Sequence, residues 1–213
     1  MGKQKHSEGF NLPKPEIDAI EQFLSTITNR WDALEAQPQL EIRALKEGNT
    51  TDVQRFNYRD IKSSAAYAHC LNEAGWNLYA CINPVSSRTV GAAKDADILA
   101  SFLCFADADT PEGSAAIAVA DPQPSFVIVT GSTPWIRCHA YWELDSPCID
   151  LNLWRHAQES IASNLGTDPT IVNPSRIMRM AGTVSYPSTK KIEKGYQPEI
   201  VRFQKVELPS VQH

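Results

Sequence analysis

From Pro15 onward, apolar side chains recur at Ile17, Ile20, Phe23, Leu24, Ile27, Trp31 and Leu34, the three-and-four spacing of an amphipathic helix entered at a proline. The period then shortens to two. Leu40-Glu41-Ile42-Arg43-Ala44-Leu45 alternates as a half-buried strand does, and Gly48-Asn49 closes it. A strand-like stretch over Val53–Tyr58 follows, then a helix from about Ser63 to Ala74 stopped by Gly75, and a strand at Leu78–Ile82 running into Asn83-Pro84. After a loop to Lys94, Ile98-Leu99-Ala100 and Phe102-Leu103-Cys104-Phe105 make the chain's strongest case for a buried strand. Downstream, the pattern predicts a short helix over Glu112–Val119, a strand over Ser125–Thr130 with Cys138–Leu144 as its hairpin partner, and a helix over Leu151–Leu165. A short helix near Pro174–Met180, a strand near Gly182–Tyr186 and a last strand at Ile200–Phe203 complete the set. Residues 1–14, polar with Pro13 inside and Pro15 just beyond, read as a flexible tail. Strands and helices mixed in this order predict an α+β or α/β domain without the strict alternation of a doubly wound sheet.

Composition narrows the classes. At 213 residues, 42% hydrophobic and 21% charged, the chain suits one substantial domain with a real core, and disorder and collagen are excluded. No apolar run approaches the ~18 residues of a membrane span, and the basic start Met1-Gly2-Lys3-Gln4-Lys5-His6 has no apolar stretch behind it, so neither a membrane segment nor a secretory signal is expected. Five cysteines form an odd set without a C-x-x-C pair, and most sit in apolar runs, which predicts mostly buried reduced thiols, no zinc site and a cytoplasmic location. The net charge of −5 at first argues against nucleic acid. Counted by segment the picture changes, because residues 170–213 hold seven Lys and Arg against three acids, whereas residues 1–169 hold 13 against 22.

Three clusters carry candidate chemistry. Asp107 and Asp109 follow the apolar strand directly, and side chains at i and i+2 on a strand share a face. Two carboxylates that close call for a cation or a shared proton, and oxygen ligands in a D-x-D arrangement suit Mg²⁺ or Mn²⁺. Equally, they read as the end of a strand and the start of a turn at Pro111-Glu112-Gly113. Second, Thr130-Gly131-Ser132 forms a small-residue turn that exposes backbone N–H groups, and Arg137 and His139 add side-chain donors, a combination suited to a nucleoside triphosphate. The alternative makes His139 a half-buried hairpin residue. Third, Asp168 precedes Pro169, and Asn173-Pro174 reads as a helix start that sets Arg176 and Arg179 one turn apart as a fork for phosphates. Asp168 is then either a third metal ligand or a turn residue, and Lys190, Lys191 and Lys194 read in isolation as solvated surface.

Together these residues resemble the archaeo-eukaryotic primase superfamily, in particular its primase-polymerase branch of RepB-type plasmid and phage primases. The resemblance rests on the strand ending Asp107-x-Asp109, the strand pair Phe126–Ser132 and His139-Ala140-Tyr141-Trp142, and Asp168 followed by Ser175-Arg176-Ile177-Met178-Arg179-Met180-Ala181-Gly182-Thr183. Asn77-Leu78-Tyr79-Ala80-Cys81-Ile82-Asn83-Pro84 with Asp97-Ile98 fits that family's approach to its first catalytic strand, and the match spans roughly residues 40–187 in order. The chain departs from the family in a longer, bulkier turn before His139, in Met180-Ala181 where Arg-x-Pro-Gly-Thr is common, and in Ser185–Lys190 where an Asn-type residue with Lys often follows.

The resemblance implies an α+β archaeo-eukaryotic primase fold, with a mixed or antiparallel RRM-like catalytic sheet over about residues 91–205 and an N-terminal α/β lobe over about 15–90. It implies template-dependent nucleotidyl transfer that makes or extends primers on single-stranded DNA in plasmid, phage or mobile-element replication. Asp107, Asp109 and Asp168 would hold two Mg²⁺ or Mn²⁺ ions. Ser132, Arg137, His139, Arg176 and Arg179 would bind the NTP or dNTP, and Trp135, Tyr186, Lys190 and Lys191 would meet the template. Partners would be template, primer and nucleotide, with a replicative helicase fused or separate. The competing reading is a non-catalytic nucleotide- or single-strand-binding initiation module of the same fold. A nuclease would share the carboxylates but not explain the paired arginines. A relaxase is disfavoured, because His6, His69, His139, His156 and His213 include no H-x-H pair.

Overall fold

The computed structural model describes residues 12–48 and 50–204, so most of the expected tail over residues 1–14 lies outside the described residues. Helix α1 (Ile17–Thr28) turns Ile20, Phe23, Leu24 and Ile27 into the core, and a 3-10 turn at Trp31–Ala33 buries Trp31 beyond it. The hairpin β1 (Gln39–Lys46) and β2 (Thr50–Asn57) leads to α2 (Ile61–Glu73), whose N-terminus is capped by Asp60 accepting from the Ser63 N–H. Strand β3 (Asn77–Cys81) then pairs with the free side of β1.

The open edge of β3 is filled from far along the chain by β7 (Ile177–Arg179), giving a four-stranded antiparallel sheet in the order β2-β1-β3-β7. This corrects the helix expected over Pro174–Met180, and with it the helical fork of Arg176 and Arg179. A seven-residue helix is marginal by itself, whereas the unpaired backbone of β3 offers a ladder, and Tyr79↔Arg179 and Cys81↔Ile177 take it. Met178 becomes buried while Ile177 and Arg179 face the other way.

The second sheet grows from a β-α-β-β-α run: β4 (Ser101–Ala108), α3 (Pro111–Ala118), β5 (Phe126–Gly131), β6 (Arg137–Cys148) and α4 (Leu151–Leu165). Its order is β10-β5-β6-β4, antiparallel throughout, with β10 (Arg202–Gln204) added outside β5. Thr110 caps α3 with Pro111 in the first turn, and Asp150 caps α4. The outer edge of β4 is closed by a side chain: the buried Gln158 amide of α4 accepts from the Phe105 N–H and donates to the Phe105 carbonyl, both at 2.9 Å. Between the sheets run β8 (Val184–Ser185), the short helix α5 (Thr189–Ile192) and β9 (Glu199–Ile200), with β8 and β9 paired.

The two sheets share one continuous core, in which Trp31, Leu40, Ile42 and Leu78 join Phe105, Phe126, Tyr141 and Trp154. Gly182 ties its ends together. Its carbonyl accepts from the Glu16 N–H at 2.8 Å, its φ is +81°, and a Cβ there would meet the Ile20 nitrogen at 2.5 Å, so α1 could not approach any other residue type this closely. Among the described residues, no helix is long and apolar enough to cross a membrane.

Candidate active site

A cleft of about 500 Å³ opens between the two sheets. Its second-sheet wall is built where the end of β4 lies beside the start of β6: Asp107 is paired in register with His139, and Asp109 lies just past the strand. The loop after α4 comes alongside through the Asp168 N–H donating to the Asp107 carbonyl at 3.0 Å, which sets a third carboxylate on the same wall. The opposite wall comes from the first sheet, with Asn77 and Tyr79 of β3 and Arg179 of β7, together with Arg176 just before it. Tyr186, Lys191 and Tyr196 close one side.

Electrostatics concentrate on Asp107. Its side chain is 18% exposed, and Oδ1 is buried without a hydrogen-bond partner, with His139 Nε2 3.6 Å away. Burial, then the charges of Asp109 and Asp168, push its carboxyl up to about 7 against the pull of Arg179 and Lys191. His139 is pushed down to about 3 by burial and by Arg179, so its ring is a neutral imidazole, with Nδ1 3.5 Å from the Tyr141 hydroxyl. Arg179 is held by neutral partners: Nη1 donates to Asn77 Oδ1 at 2.6 Å, Nη2 donates to the Tyr79 hydroxyl at 2.7 Å, and the guanidinium lies 4.7 Å from the centre of the Tyr79 ring. Arg176 donates through Nη2 to the Thr170 carbonyl, while its buried Nε has no partner.

Ser132 does not stand among the residues that wall the cleft. The turn expected to present free N–H groups is already filled by Glu199 of β9, which accepts from the Ser132 N–H at 2.9 Å, the Ser132 hydroxyl at 2.5 Å and the Thr133 N–H at 3.2 Å. Arg137 reaches the cleft wall but is also engaged, donating to Glu199 at 3.2 Å and to the Thr133 carbonyl at 2.6 Å. Trp135 is 36% exposed, lies edge-on to Tyr196 and donates its indole N–H to the Asp109 carbonyl at 2.8 Å, facing an apolar groove beside α3 rather than the cleft. Tyr186 lines the cleft with its hydroxyl donated to the Asn72 carbonyl. Lys191, exposed like Lys190, lines the cleft 5.3 Å from the Tyr196 ring centre, whereas Lys190 does not.

Tyr79 was legible as a strand residue and Asn77 only as part of the segment leading to the first acidic strand, although their i, i+2 spacing on β3 is what sets both toward Arg179. Glu199 gave no signal, being 67 residues from Ser132.

A divalent ion fits this wall in part. Among the described residues no three His, Cys, Asp or Glu side chains are gathered so that they could hold a metal ion by themselves. Yet Asp107 has an orphaned buried oxygen and two neighbouring carboxylates that raise the cost of its charge, and the donors are hard oxygens. Mg²⁺ asks for no more, since it keeps waters and takes one or two carboxylates with substrate phosphates.

No protein-family model and no curated protein sequence matches the chain. Solved structures do. The primase-polymerase domain of cyanophage S-2L, an archaeo-eukaryotic primase domain, superposes over 91% of this chain and 91% of its own at a TM-score of 0.64 and 21% identity. The primase RepB′ matches over 86% of this chain and 56% of its own at 0.56 and 14% identity. Its catalytic domain in complex with initiator DNA matches over 86% and 84% at 0.53 and 14%. The interleaved antiparallel sheets, the cleft between them and these superpositions together give the chain the fold of the archaeo-eukaryotic primase catalytic domain.

Proposed function

We propose that this chain is a primase-polymerase catalytic domain, which joins nucleotides on a single-stranded DNA template during the replication of a plasmid, phage or mobile element. One observation carries the reading: a buried, unpartnered carboxylate oxygen of Asp107 lies in a cleft that faces it with Asp109 and Asp168 on one side and Arg176, Arg179 and Lys191 on the other. The RepB′ catalytic domain, of the same fold, is seen with initiator DNA, which supports a nucleic-acid substrate.

Asp107, Asp109 and Asp168 would hold Mg²⁺ or Mn²⁺. A divalent ion bound there supplies the Lewis acid that activates a primer hydroxyl oxygen and neutralises charge on the leaving pyrophosphate. The protein's part is positioning and charge. Arg176, Arg179 and Lys191 take triphosphate oxygens, and Arg179 is the best prepared, since Asn77 and Tyr79 fix its guanidinium without neutralising it. The neutral ring of His139, beside Asp107, offers a hydrogen bond to the nucleotide without adding positive charge among the metal-binding oxygens. With Glu199 on Arg137 and Ser132, the main triphosphate grip passes to the first-sheet wall.

The test is incorporation of labelled ribo- and deoxynucleotides on single-stranded DNA with Mg²⁺ or Mn²⁺, with and without primer. Wild type is expected to extend or prime, and Asp107→Asn and Asp109→Asn to lose synthesis while remaining folded by circular dichroism. Undiminished synthesis in the double variant would refute the assignment. DNA binding without synthesis in the wild type would favour the non-catalytic module.

A further inference from the structure

Glu199 lies outside the cleft, on a strand of two residues, yet it is among the most heavily hydrogen-bonded carboxylates of the chain. Two successive backbone N–H groups, a hydroxyl and a guanidinium converge on it, which holds its carboxyl below the usual carboxylate range. Gly131 makes room for this arrangement, since a Cβ there would lie 1.9 Å from Arg137 Nη2 and 2.7 Å from Glu199 Oε2. The contacts then run on toward the acidic wall. Arg137, oriented by Glu199, donates through Nη1 to the carbonyls of Thr133 at 2.6 Å and Trp135 at 3.2 Å. Trp135 in turn donates its indole N–H to the carbonyl of Asp109 at 2.8 Å. The guanidinium also lies 4.4 Å from the centre of the Tyr196 ring, and Tyr196 meets Trp135 edge-on.

We propose that Glu199 is a positioning residue of the active site, which through Arg137 and Trp135 sets the backbone at Asp109 and so the direction of its carboxylate. The inference rests on the reading of Asp107 and Asp109 as divalent-ion ligands. Asp109 needs such a support. It lies one residue past the end of β4, where the ladder to β6 no longer holds it, and the Trp135 indole takes the place of a ladder partner for its carbonyl. Glu199 thereby links the pairing of β8 and β9 to the geometry of the second carboxylate. A ligand whose outer support is removed typically loses metal affinity by about 10- to 100-fold, and the low end is expected where the support acts through backbone.

The experiment is Mn²⁺ binding to the full chain, followed by the electron paramagnetic resonance of free Mn²⁺, with no nucleotide or DNA present. Wild type is compared with Glu199→Gln, Trp135→Phe and Asp107→Asn, and each variant's melting temperature is recorded alongside. The expected result is about tenfold weaker Mn²⁺ binding in both E199Q and W135F at temperatures where they are fully folded, and a greater loss in D107N. A purely structural role would lower the melting temperature and leave Mn²⁺ affinity unchanged. Binding by wild type that is lost in D107N but unaltered in E199Q and W135F overturns the positioning role alone. Absence of Mn²⁺ binding in wild type, or its persistence in D107N, overturns the active-site reading and this inference with it. Tighter binding of pyrophosphate by E199Q also overturns it, since Glu199 would then be a competitor for an anion in the turn. If E199Q fails to fold, W135F carries the test, because it leaves the Glu199 contacts intact.

Discussion

Replacing Gln158 by Leu probes the closure of the outer edge of β4. Gln158 is fully buried, and its amide serves three backbone groups: it accepts from the Phe105 N–H at 2.9 Å and donates to the carbonyls of Phe105 at 2.9 Å and Ile171 at 3.2 Å. Leucine has a similar volume but leaves all three without that partner. Each buried polar group left unsatisfied costs about 1–3 kcal/mol, so three cost about 3–6 kcal/mol after some relaxation. The apolar side chain returns about 1–2 kcal/mol, leaving a net loss of about 2–4 kcal/mol, a large share of a stability of about 5–15 kcal/mol. Gln158→Glu is expected to be worse, because its carboxylate still accepts from Phe105 but turns a negative oxygen toward two carbonyls and buries a charge. Urea denaturation at neutral pH measures both, with the slope of the transition checked for two-state behaviour. A Q158L protein within about 1 kcal/mol of wild type, or a Q158E protein more stable than Q158L, would refute the claim that this amide is the edge partner of β4.

Asp107 gives a prediction about pH in the presence of chelator. Its carboxyl is raised from 3.8 to about 7 on folding, so the folded state binds the extra proton between those values and stability falls as pH rises through them. That rise corresponds to up to about 4 kcal/mol, and D107N, which removes it, should melt higher than wild type at pH 8 but not at pH 4. Equal differences at both pH values would refute the shift. Thiol titration of the native protein should find Cys70 fast and half-buried Cys148 slower, while Cys81, Cys104 and Cys138 react only on unfolding, with burial pushing Cys81 up to about 12 and Cys104 up to about 11. Lys191→Ala should raise the nucleotide KM several-fold and Lys190→Ala should leave it unchanged, because only Lys191 faces the cleft; equal effects would place the triphosphate elsewhere.

The elements that were legible in the sequence are those whose burial is local. Helices α1, α2 and α4 follow their own three-and-four spacing, and β4 its apolar run, so Asp107 was found at its end without knowledge of β6. What escaped depended on partners distant in the chain. The helix expected near Pro174–Met180 is a strand because β3, about 100 residues earlier, lacks a partner on that side. Glu41 stands at a position where alternation puts a polar side chain toward solvent, yet it is fully buried, since Arg43 and Arg55 pair with it and the Ala93 N–H covers it. The three acidic residues and the basic cluster were visible as residue types. That Ser132 and Arg137 were already engaged was not, because Glu199 is joined to them only through the fold.

The segment counts acquire a different meaning in the folded chain. The excess of positive charge after residue 170 is not a uniform surface, since Arg176, Arg179 and Lys191 line the cleft while Lys190 and Lys194 do not. Had Arg179 formed an ion pair with Asp107, the carboxylate would sit well below its usual range, and an incoming cation would have to displace the arginine. Instead its guanidinium is held by Asn77 and Tyr79, and Asp107 remains pushed up to about 7. Opposite charges are thus kept facing one another without neutralising one another. On the proposed reading, the acidic wall would keep its demand for a cation and the basic wall its charge for phosphates that a cation alone would not fully neutralise.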